Sequence, residues 1–394
     1  MSGIYIHIPF CKQACSYCDF YFVTRDQLIP IFVDALVNEI MSDTILPDFC
    51  SFSSEPMQTI YLGGGTPSRL SLDQFERLID VLRQRFDLSR LCEFTVEVNP
   101  EDISAGYLHG LKHLGVTRLS IGVQSFQPDL LEFMHRAHTS RQAHHALELV
   151  SDTGFTSFSV DLIFGNPRQT MKQLRDDLRQ LLAYRPPHIS AYALSIEPKT
   201  RLGKQHKLGR LKPADDDDVA AQFHLIREKL EKHDIRQYEV SNFAKHGHEA
   251  VHNSAYWQHE NYLGLGPAAH SFFWAGDRKS AIRFNNSPDI HAYGQVFASQ
   301  NPKKVNQPEI RESFAGQESL TLQTLANERI MMGLRTREGV SESELSSRYN
   351  YSLNITQRKQ LELFRKEGLV APVDPLRLTA KGIVLVDAII LKLL

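Results

Sequence analysis

The sequence predicts an α/β protein. Its first part is an incomplete barrel of six strand–helix units, (β/α)6, and it ends in a mostly helical, winged-helix-like domain. Three observations carry this prediction. Short β-rich runs alternate with helical stretches through the first half of the chain. Several of those runs are apolar on both faces, as strands buried in a parallel sheet are. Beyond residue 320 the pattern turns helical and finishes as helix, strand, strand, helix.

Taken in order, strands are predicted at residues 4–8, 59–62, 93–98, 118–122, 157–163 and 188–194. Helices fall between them at 28–41, 72–85, 103–113, 141–151 and 171–183. Such alternation implies a parallel sheet, with an open doubly wound sheet as the alternative to the barrel. Residues 199–213 are basic, contain Gly and break the pattern. The acidic run at 215–218 opens a helix over 219–233, where aspartates complement the macrodipole. Residues from about 238 to 315 read as irregular, rich in Asn, His, Gly and aromatics. Then 358–367, 369–373, 376–378 and 381–394 read as helix, strand, strand and helix, the last helix apolar enough to pack inward. Domains are accordingly expected at 1–235, 236–315 and 316–394.

Composition narrows the function. A chain of 394 residues holds two or three domains and a large core. A formal net charge of -2 offers no basic field, so no nucleic-acid partner is expected. The apolar stretch at 382–394 is short and contains Asp387 and Lys392, so no transmembrane segment is expected. No signal peptide opens the chain, and the expected location is cytoplasmic, with peripheral membrane contact left open. Of five cysteines, three crowd into eight residues. That is no disulfide framework; it suits a reducing compartment and a metal site. Cys50 and Cys92 stand alone and read as small buried hydrophobes.

The crowded cysteines are Cys11, Cys15 and Cys18, spaced C-x3-C-x2-C just after the first strand. Thiolates are soft ligands that suit iron–sulfur clusters or zinc. Three of them on a four-iron cubane leave the fourth iron open. A structural zinc site normally takes four ligands in two separated pairs, and no second pair follows, so the 4Fe-4S cluster is preferred. His7 is on an alternating strand and reads as a core or supporting residue rather than a ligand.

The Cys11–Cys15–Cys18 spacing resembles the signature of the radical S-adenosylmethionine superfamily. Later segments resemble its coproporphyrinogen-dehydrogenase-like branch over most of the chain. The resemblance implies a radical-SAM barrel, a bound 4Fe-4S cluster and S-adenosyl-L-methionine, whose reductive cleavage gives a 5′-deoxyadenosyl radical. Gly63-Gly-Gly-Thr-Pro67 follows the second strand. Read from the residues, three glycines let a ligand approach bare backbone; the resemblance assigns this stretch, Gly64, Gly65 and Thr66 within it, to the methionine amino group. By the same resemblance Glu97 and Gln124 hold polar groups of the ligand, Arg136 its carboxylate and Asp161 its ribose. Tyr5 and Tyr17, flanking the cluster, contact the cofactor and its adenine. Each of these taken alone is also an ordinary strand-end polar group.

Two departures separate siblings within the branch. The dehydrogenase carries an additional cysteine two residues after the third ligand, where this chain has Phe20. It also has a longer segment ahead of the cluster. Both point to the HemW family of haem chaperones. Val251-His-Asn-Ser-Ala-Tyr-Trp257 contains H-N-x-x-Y-W, that family's proposed haem-binding motif. A neutral imidazole ligates haem iron, which makes His252 the first choice, with Tyr256 and Trp257 packing on the porphyrin or filling a core. His246, His248, His259 and His270 are nearby alternatives. The expectation is a haem chaperone that passes haem to acceptor proteins, dimerisation being one use of the cluster. The alternatives are a coproporphyrinogen dehydrogenase acting on a tetrapyrrole and, less favoured, a radical step on RNA.

Overall fold

The computed structural model describes residues 2–42, 55–297 and 314–394. The six predicted strands are present as β1 (Ser2–Ile8), β2 (Thr59–Gly64), β3 (Glu93–Val98), β4 (Arg118–Gln124), β5 (Ser157–Phe164) and β6 (His188–Ala193). They pair in parallel and in sequence order. Each is buried on both faces for most of its length, which is why Ile, Leu, Val and Phe dominate them.

The crossover helices include α1 (Ile29–Met41), α2 (Leu72–Arg85), α3 (Ala105–His113), α4 (Pro128–Phe133), α5 (Ser140–Asp152) and α6 (Met171–Ala183). Three begin with the same device. Ser71, Thr139 and Thr170 each cap a helix whose third residue is Gln74, Gln142 or Gln173, and each Gln reaches back to the cap's backbone N–H. After α7 (Arg201–Lys207), the acidic run opens α8 (Asp216–Glu231). Asp215 caps it, and Asp216, Asp217 and Asp218 fill the first turn, as the macrodipole favours.

The stretch read as irregular is instead part of the sheet. It supplies β7 (Arg236–Gln237), β8 (Asn242–Ala244), helix α9 (Val251–Trp257), β9 (Asn261–Leu265), β10 (His270–Trp274), β11 (Ser280–Asn286) and helix α10 (Ile290–Phe297). With β12 (Phe314–Thr321), the described residues form one twelve-stranded sheet. β9 returns alongside β1 in parallel, and β10 to β12 extend that edge antiparallel. These strands are short and carry Asn, Ser, His and Arg, so alternation hides in them. Their apolar residues serve two cores: Phe273 and Phe284 join the barrel, while Phe272, Trp274 and Ala281 join the C-terminal domain.

That domain carries helices at Leu322–Gly333, Glu342–Tyr349, Ile355–Lys366 and Val386–Leu393. The two wing strands reduce to isolated bridges, Val370 with Leu378 and Val340 with Leu376. Ile389, Ile390 and Leu393 of the last helix are buried as expected, whereas Leu391 is exposed. Cys92 is also exposed rather than buried, because it sits in the turn before β3 with its thiol bonded to the Gln58 carbonyl at 3.2 Å. Cys50 lies outside the described residues. No described helix is long and apolar enough to cross a membrane.

Candidate cofactor site

The C-terminal ends of β1 to β6 surround a cavity of about 600 Å³. Parallel α/β folds place their sites at this face. The loop after β1 carries the cysteines into the cavity and is tied down at several points. Cys11 N–H donates to the Val23 carbonyl and Val23 N–H to that of Pro9. Ser16 donates to the carbonyls of Met134 and Phe133, and Gln13 to that of His135. Cys11, Cys15 and Cys18 all line the cavity. Burial pushes the Cys11 thiol up to about 12 and the Cys18 thiol to about 11, so these thiols are neutral until a cation joins them.

The glycine triplet has a packing cause beside the one the sequence suggests. A Cβ on Gly65 would lie 2.7 Å from the Ile8 carbonyl oxygen and 2.9 Å from Phe10 N. Gly64 has φ +101 and a Cβ there would strike the His7 ring at 2.4 Å. The glycines therefore let β2 press against the strand and loop that lead to the cysteines. Gly64, Gly65 and Thr66 also face the cavity. His7 is held away from it: its Nε2 donates to the Tyr21 carbonyl at 2.8 Å, and its Nδ1 is bonded to the Tyr5 hydroxyl at 3.2 Å.

Arg136 bridges the two halves of the site. It donates to Asn99 Oδ1 at 2.6 Å, to the Gly122 carbonyl at 2.8 Å and to Cys15 Sγ at 3.4 Å. Its Nε is buried without a partner, as is Gln124 Oε1. Gln124 stands at φ 66 where the β4–β5 register shifts, a strained position that turns its side chain out of the strand pattern. Glu97 accepts from the Tyr61 hydroxyl at 2.7 Å and from Gly64 N–H at 3.1 Å. Burial, opposed by that Tyr61 bond and reinforced by Asp161, pushes its carboxyl up to about 7. Asp161 is raised by the same desolvation and accepts from Ser120 and Ser159.

Tyr17 lines the cavity and packs beside Leu130, Leu131 and Met134. Tyr5 is not in the lining; it stacks on Tyr61 with ring centroids 6.1 Å apart. Asn99, Tyr61, Ser120 and Tyr192 belong to the lining and were not singled out in the sequence. Asn99 just past β3 and Tyr192 near the end of β6 hold the strand-end positions that yielded the others, which is the signal that could have found them; Tyr61 and Ser120 stand mid-strand in β2 and β4 and carry no such signal.

The H-N-x-x-Y-W segment forms α9 on the other side of β2. Glu93 of β3 fixes the start of α9 by accepting from the N–H groups of Val251 and His252, at 2.9 and 3.0 Å. His252 is 1% exposed. Its Nδ1 is bonded to Thr59 Oγ1 at 2.8 Å and its Nε2 to the Tyr256 hydroxyl at 2.7 Å. Burial drives its pKa down to about 3, so it is neutral. Tyr256 and Trp257, but not His252, line a second cavity of about 610 Å³ between the sheet and the C-terminal domain. Tyr192 lines both cavities. A third cavity, on the surface, is lined by Arg227, Arg335 and Arg337, whose charges are already paired with Glu231, Asp387 and Glu249.

Comparisons with known proteins agree with this layout. The chain matches the Radical SAM superfamily over residues 5–181 and the HemN C-terminal domain over 320–385. The "heme chaperone HemW" of Bacillus subtilis is 36% identical over 376 residues, 94% of this chain and 93% of that protein. That of Lactococcus lactis is 33% identical, covering 97% and 94%. Among solved structures, coproporphyrinogen III oxidase (HemN) from Escherichia coli, described as a radical SAM enzyme, superposes with a TM-score of 0.80. It covers 100% of this chain and 89% of that one at 22% identity, a likeness of fold. Identity of this extent, carried through barrel and C-terminal domain together, means that the chain belongs to the HemW family of the radical SAM superfamily.

Proposed function

We propose that this protein is a haem chaperone that binds haem and passes it to acceptor proteins, carrying a 4Fe-4S cluster and S-adenosyl-L-methionine beside it. The observation that carries the reading is the near-full-length likeness to proteins named heme chaperone HemW. Phe20, 70% exposed at the cavity mouth where the dehydrogenase branch has a further cysteine, supports it.

Cys11, Cys15 and Cys18 hold the cluster in this reading. The irons supply the positive charge that buried thiols need to ionise. The unpartnered Arg136 Nε and Gln124 Oε1 are the kind of orphaned groups that a polar ligand satisfies. Arg136 binds the carboxylate of S-adenosylmethionine, Asp161 its ribose, Gly64, Gly65 and Thr66 its amino group, and Glu97 and Gln124 its remaining polar atoms. Tyr17 covers the adenine. Tyr5 acts from behind, through His7 and Tyr61. When bound, the two groups supply one-electron reductive chemistry at the sulfonium. The protein's part is to orient them and exclude water. The cytoplasm is the expected compartment, and a cluster-dependent homodimer belongs to the same reading; size-exclusion chromatography with and without the cluster tests it.

The deciding experiment is a haemin titration of the cluster-loaded protein followed by its Soret band, run beside an anaerobic assay with coproporphyrinogen III and S-adenosylmethionine. Saturation near one haem per chain without turnover is expected. Turnover to protoporphyrinogen at an enzymatic rate sinks the chaperone reading.

A further inference from the structure

We propose that His188, at the start of β6, is the positioning residue for Asp161: its Nδ1 proton, held on Ser159, keeps the serine hydroxyls behind the site turned on the Asp161 carboxylate, and so sets the preference of the cofactor cavity for a ribosyl over a deoxyribosyl ligand. This rests on the ribose role given to Asp161 above and names the residues that hold that carboxylate.

The residues form two rows across the barrel interior. Strand register places Ser120 of β4, Ser159 of β5 and His188 of β6 side by side, with Asp161 beside Ser190 in the next row. Residues two apart on a strand share a face. Asp161 lines the cavity, while Ser159, Ser190 and His188 are buried behind it. Ser120 Oγ reaches both carboxylate oxygens at 3.1 Å, Ser159 Oγ donates to Oδ1 at 3.2 Å, and Ser190 donates to the same carboxylate. Three donors come from the barrel side, so the acceptor capacity left to Asp161 belongs to the cavity.

A hydroxyl has one proton, and Ser159 has three neighbours for it: Asp161, Ser190 Oγ at 2.9 Å and His188 Nδ1 at 2.8 Å. The imidazole decides among them. Burial, reinforced by Arg118 and His248, holds its pKa well below the usual range, so it is neutral with a single ring proton. The Tyr238 hydroxyl accepts from Ala250 N–H at 3.2 Å and gives its own proton to His188 Nε2 at 2.9 Å. The ring proton is therefore on Nδ1 and donates to Ser159. Ser159 then has a donor, and its proton and that of Ser190 both end on the carboxylate. The opposite tautomer would draw the Ser159 proton onto Nδ1. Loss of the imidazole would leave Ser159 Oγ to take its donor from Ser190, and Asp161 would lose that one. Tyr238 and His188 thus act on the ligand only through Asp161.

The test is equilibrium dialysis of cluster-loaded, unreduced protein against S-adenosylmethionine and its 2′,3′-dideoxy analogue, together with ¹⁵N-histidine NMR. Wild type should bind S-adenosylmethionine roughly tenfold or more tighter than the analogue, and His188 should show the Nδ1–H tautomer. His188→Leu should lower that ratio by roughly threefold or more, chiefly by weakening S-adenosylmethionine. His188→Asn still donates to Ser159 and should keep the ratio within about twofold of wild type. A wild type that does not distinguish the two ligands removes the ribose role of Asp161, and this inference with it. An unchanged ratio in His188→Leu, or an equal loss of both ligands, leaves the ribose role standing and overturns the inference, because a purely structural residue weakens both alike. An Nε2–H tautomer in wild type overturns it too. Far-UV circular dichroism and iron content identify any variant that misfolds; if His188→Leu does, Tyr238→Phe, which removes one oxygen and frees the tautomer, decides, and an unchanged ratio there overturns the inference.

Discussion

At the scale of single residues, the cysteine assignment is the sharpest statement. Anaerobic reconstitution should give about four irons per chain. Cys11→Ala, Cys15→Ala and Cys18→Ala should each abolish this, and Cys92→Ala, whose thiol is exposed in the turn before β3, should not; normal iron content in any of the first three refutes the ligand set. Glu97 carries a second prediction. Its carboxyl stands at about 7, above its ordinary value near 4.5. A raised acid contributes stability that is fully present below the unfolded value and is lost as pH rises through the folded one. Glu97→Gln should therefore raise the melting temperature of cluster-free protein at pH 8 and barely change it at pH 4. The gain is at most about 3 kcal/mol, reduced by water in the cavity. The same ionisation favours a cationic ligand, so wild-type binding of S-adenosylmethionine should strengthen as pH rises past about 7, and the variant should bind weakly at every pH. Equilibrium dialysis across that range checks both; pH-independent wild-type binding refutes the role.

At the scale of elements, the barrel was legible because its signals are local. Strands apolar on both faces and helices opened by Ser or Thr with Gln three residues on need no tertiary context, and β3, α2 and α6 keep their predicted bounds. The site was legible for a related reason: a parallel sheet puts polar residues at strand ends, and Glu97, Gln124 and Asp161 stand there. What escaped notice depends on partners far away in sequence. β9 is a strand because β1 lies beside it, with Tyr5 opposite Gly264. Cys92 is exposed because of its turn, and a lone cysteine's burial is not written in its neighbours. The glycine triplet shows how a local reading can miss a packing cause set by residues far away in sequence. Gly65→Ala should displace the cysteine loop, since its Cβ would lie 2.7 Å from the Ile8 carbonyl oxygen, and should lower iron retention well below wild type. Gly106→Ala, in α3 with open space around it, should stabilise slightly, by up to about 1 kcal/mol. Iron content and thermal melts of the two variants check this pair.

At the scale of the whole molecule, one strand decides how the parts are joined. β10 alternates between two cores: Phe273 packs into the barrel, and Phe272 and Trp274 pack into the C-terminal domain. The Trp274 indole also donates to the His259 carbonyl at 2.7 Å, and the Arg348 guanidinium lies 5.3 Å from its ring centroid. Further ties cross the same boundary. The Arg337 N–H donates to the Tyr238 carbonyl, and Arg348 donates to the carbonyls of Gln258 and His259. A chain whose C-terminal helices rest on the edge of the barrel's own sheet cannot lose either part without exposing the other. Cluster-free protein should therefore unfold in one calorimetric transition rather than two. Trp274→Ala removes a large side chain that is 4% exposed and should cost about 3–5 kcal/mol. It should lower that transition as a whole and bring partial unfolding of the C-terminal helices within reach of limited proteolysis. The second cavity lies at this joint, walled by α9 and β10 on one side and by Met331 and Met332 on the other. Two well-separated transitions in the wild-type protein, or a Trp274→Ala variant in which only a second, separate transition moves, would show that the C-terminal domain is an independent appendage.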